Sequence, residues 1–263
     1  MTEGNPDWQA PPPPVDIETA AEQPQMSLVQ TLVNIFFEPG AAFEDLRKKP
    51  FPRLIFPLLI CAVLVSGYNF GLQQKLGQER IVQEQLKMPI MERVPEEAKK
   101  KMVEDAKNTS TVKVVLTAFA SFVGFLVVFT IMGLIYWVGG LAFGGNGNFW
   151  HGMAVVAFSS FPIIVVSMIG SLIILLLKSP DDISFMDAQN GLLRINPNMI
   201  MDASSALKAF FSRIDLLVIW GVFLSAIGLK NVMRVSNGGA WLFSIIIWLI
   251  GTTLAVVLSM LFR

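Results

Sequence analysis

Asp215 and Lys230 bracket 14 residues that carry no other charge. A carboxylate beside an apolar run stands where a proton or cation path through a membrane would need it. At about 1.5 Å per residue the interval spans about 22 Å, short of a hydrocarbon core of about 30 Å. The expectation is that Lys230 snorkels at one face while the helix reaches back through Phe211 and Phe210. Asp215, with Arg213 near it, then sits at or just below the other face. Beyond Asp215 the chemistry thins out. A protease working within the membrane needs a Ser/His pair or two membrane aspartates, and Asp215 is the only acid close to a membrane-helix interior.

The single histidine, His151, stands next to Trp150 in a short turn, so a His-rich metal site is excluded and no HExxH occurs. GxSxG, the Walker A pattern and GxGxxG are also absent. The single cysteine, Cys61, lies in an apolar run, which excludes an internal disulfide and a multi-cysteine zinc or iron-sulfur site. Asp181, Asp182, Asp187 and Asp202 share one polar loop, but their spacing lacks the ligand pattern of a calcium loop. The expectation is no catalytic residue, no metal, no cofactor and no enzyme.

The elements that position these residues follow from composition. Of 263 residues 53% are hydrophobic and 15% charged, against about 25% charged in an average globular chain. Between Lys113 and Lys178 no Asp, Glu, Lys or Arg occurs for 64 positions. That is too long for one membrane crossing and right for two, with the turn "GGNGN" between them. The expected fold is all-α: a polytopic integral membrane helix bundle of five transmembrane helices, preceded by an amphipathic interfacial helical hairpin. The crossings are expected at 54–73, 114–143, 153–177, 209–229 and 238–262, with polar loops at 75–113 and 178–208. "PEEAKKKMVEDA" predicts a helix in the first loop, because proline and acids open it and each of Glu96 and Glu97 precedes a lysine by four. Pro162, after Ser159 and Ser160, predicts a kink in the third crossing.

Residues 1–26 are rich in Pro, Glu, Gln and Ala and read as a disordered tail; they lack the basic start and apolar run of a secretory signal. The membrane-associated part is then 27–263. Ser27 predicts a helix cap, with Leu28, Leu32, Ile35 and Phe36 at helical spacing after it, until Pro39-Gly40 breaks the run. Phe43 and Leu46 continue the apolar stripe opposite Glu44, Asp45 and Lys48, and Arg47, Lys48 and Lys49 close the segment. Both helices, within 27–50, are too short to cross, and the pattern suits a hairpin in the headgroup region. The pairs Gly67 and Gly71, Ser167 and Ser171, Gly221 and Ser225 predict close helix packing. Orientation is contested. With the N-terminus in the cytoplasm that side holds six Lys/Arg and the other fourteen, yet the run Arg47-Lys48-Lys49 lies beside the helix that usually dominates insertion.

The spacing Pro39, Phe43, Leu46 before the first of five crossings resembles the start of the Yip1 domain. "DLLVIWGVFLSAIGLK", with Asp215, Trp220 and the pair Gly228-Leu229, is similar to that family's fourth crossing. The likeness covers roughly residues 28–261. It implies a multi-spanning, non-enzymatic membrane protein with a cytoplasmic N-terminus. The Asp-Leu-Tyr-Gly-Pro segment of eukaryotic relatives is absent and the 75–113 loop is long, which points to the prokaryotic branch and a bacterial inner (cell) membrane. A Rab-type GTPase is an expected partner only in the eukaryotic branch. The expected role is a structural or adaptor component contacting the lipid bilayer, partner membrane proteins or a second copy. Glu38, Pro39, Phe43, Leu46, Arg47, Lys48 and Lys49 are its interaction residues, and Asp215 and Trp220 its intramembrane polar pair. The alternative is a transporter or channel subunit with Asp215 on its path. No nucleic-acid partner is expected from a net charge of zero.

Overall fold

Ser27 opens the first helix with a reciprocal cap: its hydroxyl accepts from the Gln30 N–H, and the Gln30 side chain accepts from the Ser27 N–H. Helix α1, Leu28–Phe37, ends at Glu38, and Pro39 occupies the first position of α2, Pro39–Lys48, where its missing N–H costs nothing. The computed structural model describes residues 25–108, 110–189, 191–197, 207, 210–211 and 214–261. Residues 1–24, Thr109 and the 198–206 stretch with Asp202 lie outside the described residues, and so does Arg213.

After one turn, α3 (Pro50–Arg53), the first long helix α4 spans Ile55–Leu76. The polar loop folds into α5 (Gln78–Leu86), a 3-10 turn and α6 (Glu96–Lys107), the last coinciding with the helix expected from its acids and lysines. Helices α7 (Thr111–Ala142) and α8 (Phe149–Leu177) are joined by the glycine turn, and Asn148 caps α8. A second loop holds a one-turn helix, α9 (Phe185–Ala188), before α10 (Leu216–Met233) and α11 (Asn237–Leu261). Five helices, α4, α7, α8, α10 and α11, are long and apolar enough to cross a membrane. No strand occurs among the described residues. The chain is an integral membrane helix bundle.

Helix α8 is central, with α7, α4 and α10 around it, and α11 packs on α10. Glycine sets the α7–α8 approach. A Cβ at Gly152 would stand 2.5 Å from the Gly133 carbonyl oxygen, and one at Gly133 would overlap Met153. Hydrocarbon solvates side chains as well as a protein interior does, so contact comes from backbones close enough for dispersion. The three expected small-residue pairs divide: Gly221 receives Ile163 and Gly71 receives Leu175, whereas nothing stands within 4 Å of a Cβ at Gly67. The two serines of those pairs with described contacts act through hydroxyls. The Ser225 hydroxyl stands 2.9 Å from the Val222 carbonyl and 2.9 Å from the Ser244 hydroxyl, with Tyr136 bonded to the same serine. That cluster ties α7, α10 and α11 inside the bundle.

The fourth crossing differs from expectation. Asp215 caps α10, its Oδ1 accepting from the Leu217 N–H at 2.9 Å, so the helix starts at Leu216 instead of extending back through Phe211 and Phe210. Length is recovered at the other end, where α10 continues past Lys230 to Met233. An aspartate that has turned its carboxylate onto the following N–H groups fixes non-helical backbone at its own position, which ends a helix there.

Candidate interaction surface at the hairpin end

The α1–α2 hairpin is held by a charge network that begins with Asp45. This residue was expected on the solvated side, opposite Phe43. In the structure its side chain is 6% exposed. Its Oδ1 accepts from the Gln25 N–H at 2.6 Å, and its Oδ2 accepts from Arg53 Nη1 at 2.7 Å and from the Met26 N–H at 3.2 Å. Arg53 in turn donates to the Met26 carbonyl at 2.8 Å and to the Thr31 hydroxyl. The start of α1, the end of α2 and the entry to α4 are thus clasped by one buried ion pair. Burial pushes the Asp45 carboxyl up, but Arg53 and the two N–H groups outweigh it and hold it below its usual 3.8. The periodicity that put Asp45 outside ignored Arg53, eight residues away, whose charge lets the carboxylate be buried.

Phe43 and Leu46 are fully buried, together with Ile35 and Ala42. They face the bundle: the Phe43 ring lies 3.1 Å from where a Cβ at Gly228 would stand, beside Val155 of α8. Phe36 enters the bundle against Phe161 and Trp220, with ring centroids 6.1 and 5.8 Å apart. Trp220 therefore belongs with the hairpin. Glu38 and Lys49 are exposed, and Pro39, Arg47 and Lys48 partly buried. The Arg47 carbonyl accepts from His151 Nε2 at 3.2 Å. His151 Nδ1 stands 3.1 Å from the Asn148 backbone nitrogen and 2.8 Å from Asn148 Oδ1. His151 thereby ties the start of α8 to the end of α2.

The outward side of α1 is apolar as well. Val29, Val33 and Phe37, each four residues apart, are 68%, 49% and 79% exposed. Leu28, Leu32, Ile35 and Phe36 predict one apolar stripe on this helix; the structure shows an inner one covered by the bundle and an outer one left uncovered.

Asp215 lies at the opposite end of the bundle and is not brought together with the hairpin residues. Its Oδ2 accepts from the Ile195 N–H at 2.7 Å and faces the Asn196 amide at 3.4 Å. Its oxygens are engaged in holding the 191–197 segment against α10. The same end is fastened by further bonds, made by Ser171, which its spacing predicted as a packing position, and by residues that no sequence pattern singled out. Arg80 donates to the Pro180 and Ile183 carbonyls at 2.7 and 2.8 Å, Glu84 accepts from the Phe185 N–H at 2.7 Å, and Tyr68 donates to the Ala188 carbonyl at 2.7 Å. Ser171 accepts from the Leu192 and Leu193 N–H groups, and Lys75 caps the end of α8 through the Leu175 carbonyl. Each bond joins residues 21 or more apart in sequence, so no local spacing announces it.

The family model of the Yip1 domain matches residues 33–258. No curated protein and no solved structure matches the chain.

Proposed function

Since the chain belongs to the Yip1 domain family, we propose that it acts as a non-enzymatic structural or adaptor component of its membrane, with the α1–α2 hairpin as its contact surface. The observation that carries this reading is the two-sided apolar character of α1. Its inner face is fixed by Ile35, Phe36 and the neighbouring Phe43, while Val29, Val33 and Phe37 face outward. An exposed apolar stripe on a rigidly docked helix needs an apolar cover. Lipid at the membrane interface supplies it along the hairpin, and partner membrane proteins or a second copy dock beside it, near Glu38, Lys48 and Lys49. The cytoplasmic face of a bacterial inner membrane is the setting we assign to this surface, with Arg47, Lys48 and Lys49 beside the first crossing as the topological signal.

Transport through Asp215 has no comparable support, because its carboxylate is engaged with local donors. The test is photocrosslinking in native membranes from a probe at Val33 or Phe37. Crosslinks to a second copy or to another membrane protein are expected, together with lipid adducts. Recovery of monomer alone, from both positions, would overturn the adaptor reading. Solute flux in liposomes that disappears in Asp215→Asn would replace it with transport.

A further inference from the structure

A groove of about 300 Å³ opens where the first turn of α2 meets α10 and α11. Its lining changes character along the α10 axis. Lys230 and Asn231 stand at one end with Asn237 from α11, and Phe223, Ala226 and Ile227 continue toward the bundle middle. Lys230 and Phe223 are seven residues apart, which is about 10 Å along a helix. Trp241 closes the side, its ring 5.8 Å from that of Phe223.

Two features select an occupant. Lys230 is exposed and makes no ion pair or hydrogen bond among the described residues, and no carboxylate lines the groove. The polar end therefore offers a free cation and two amides, a donor set suited to a phosphate carrying one negative charge. The apolar end lies on membrane-crossing helices and accepts hydrocarbon. A free phosphate would fill only the first part. A soluble anion has no use for a wall of Phe223 and Ile227, and a neutral lipid leaves Lys230 without a counter-charge.

We infer that this groove is a binding site for one anionic glycerophospholipid, its phosphate held by Lys230, Asn231 and Asn237 and one acyl chain lying along Phe223 and Ile227. The bound lipid would sit against the α2 turn, so the hairpin and the lipid share the Gly40 wall. This inference is independent of the adaptor reading: it requires only that α10 and α11 cross the membrane.

The full chain is reconstituted in vesicles of phosphatidylcholine with one-fifth phosphatidylglycerol, extracted in mild detergent, and its retained lipid measured by native mass spectrometry. Phosphatidylglycerol is expected to be retained over phosphatidylcholine, and Lys230→Gln is expected to lower its retention about fivefold, the effect of one interfacial lysine. Arg234→Asn, which removes a neighbouring exposed cation outside the groove and keeps a residue tolerant of its left-handed backbone (φ 59), should leave retention unchanged. Millimolar inorganic phosphate should not displace the lipid; displacement would reassign the site to a free anion. Equal loss from the two variants, or equal retention of the two lipids by the unmodified protein, would overturn the inference. Unfolding temperature in detergent is read alongside, so that a drop in retention counts only for variants that keep their fold.

Discussion

Asp45 shows how one side chain can decide the geometry of the hairpin. Replacing it with Asn leaves Arg53, 10% exposed, without its counter-ion, and breaking a buried pair from one side costs about 3 kcal/mol. Replacing both partners, as Asp45→Leu with Arg53→Met, is expected to cost less than the single change, measured as unfolding temperature in one detergent. The pH dependence follows from the lowered carboxyl. A group with a depressed folded-state pKa contributes stability that is present above its unfolded value, here 3.8, and that is lost as pH falls through the folded value. Unfolding temperature should therefore fall with acidification below pH 3.8 in the unmodified protein, and more shallowly in the double variant. At the other end Asp215→Ala removes a cap and two further contacts. It is expected to cost about 2 kcal/mol and to expose the 191–197 segment to protease. Asp215→Asn, still a capping residue, should cost less.

Helix existence was legible in the sequence wherever a single medium dictates it. Long charge-free stretches have one solution in lipid, and α7, α8 and α11 lie close to their expected positions for that reason. Helix α6 was legible because its determinants are within four residues of each other. The α10 start was not, since it depends on whether Asp215 bonds forward to Leu217 or stays inside a helix. The candidate surface was legible in part. Phe43 and Leu46 stood out by spacing, but which side they face depends on Gly228, some 180 residues later in the chain. That dependence can be tested. Gly228→Leu would drive its side chain into Val155 and Phe43 and should release the hairpin, seen as faster hydrogen exchange over 28–48 with α8 unchanged. Ser225→Ala removes a bond between helices that is worth about 0.6 kcal/mol in membranes. It should loosen α11 against α10 without affecting the hairpin.

At the scale of the whole molecule the crossing helices are of unequal length. Helix α4, with 22 residues, extends about 33 Å, whereas the 32 residues of α7 extend about 48 Å. The first turns of α7 carry Val112, Val115, Leu116 and Phe119, all more than half exposed. A hydrocarbon slab of about 30 Å matches the first helix and leaves the other overlong, a mismatch that tilt or local thickening must absorb. Because α7 is joined to α8 through backbone contact at Gly133 and Gly152, it cannot lean independently. The protein should therefore gauge bilayer thickness. In phosphatidylcholine vesicles of increasing acyl length, resistance to heat is expected to rise to a maximum beyond the medium-chain lipid. In short-chain vesicles the overhang of α7 should draw copies side by side, pooling their annuli of stretched lipid and clustering the molecule in thick patches of membrane.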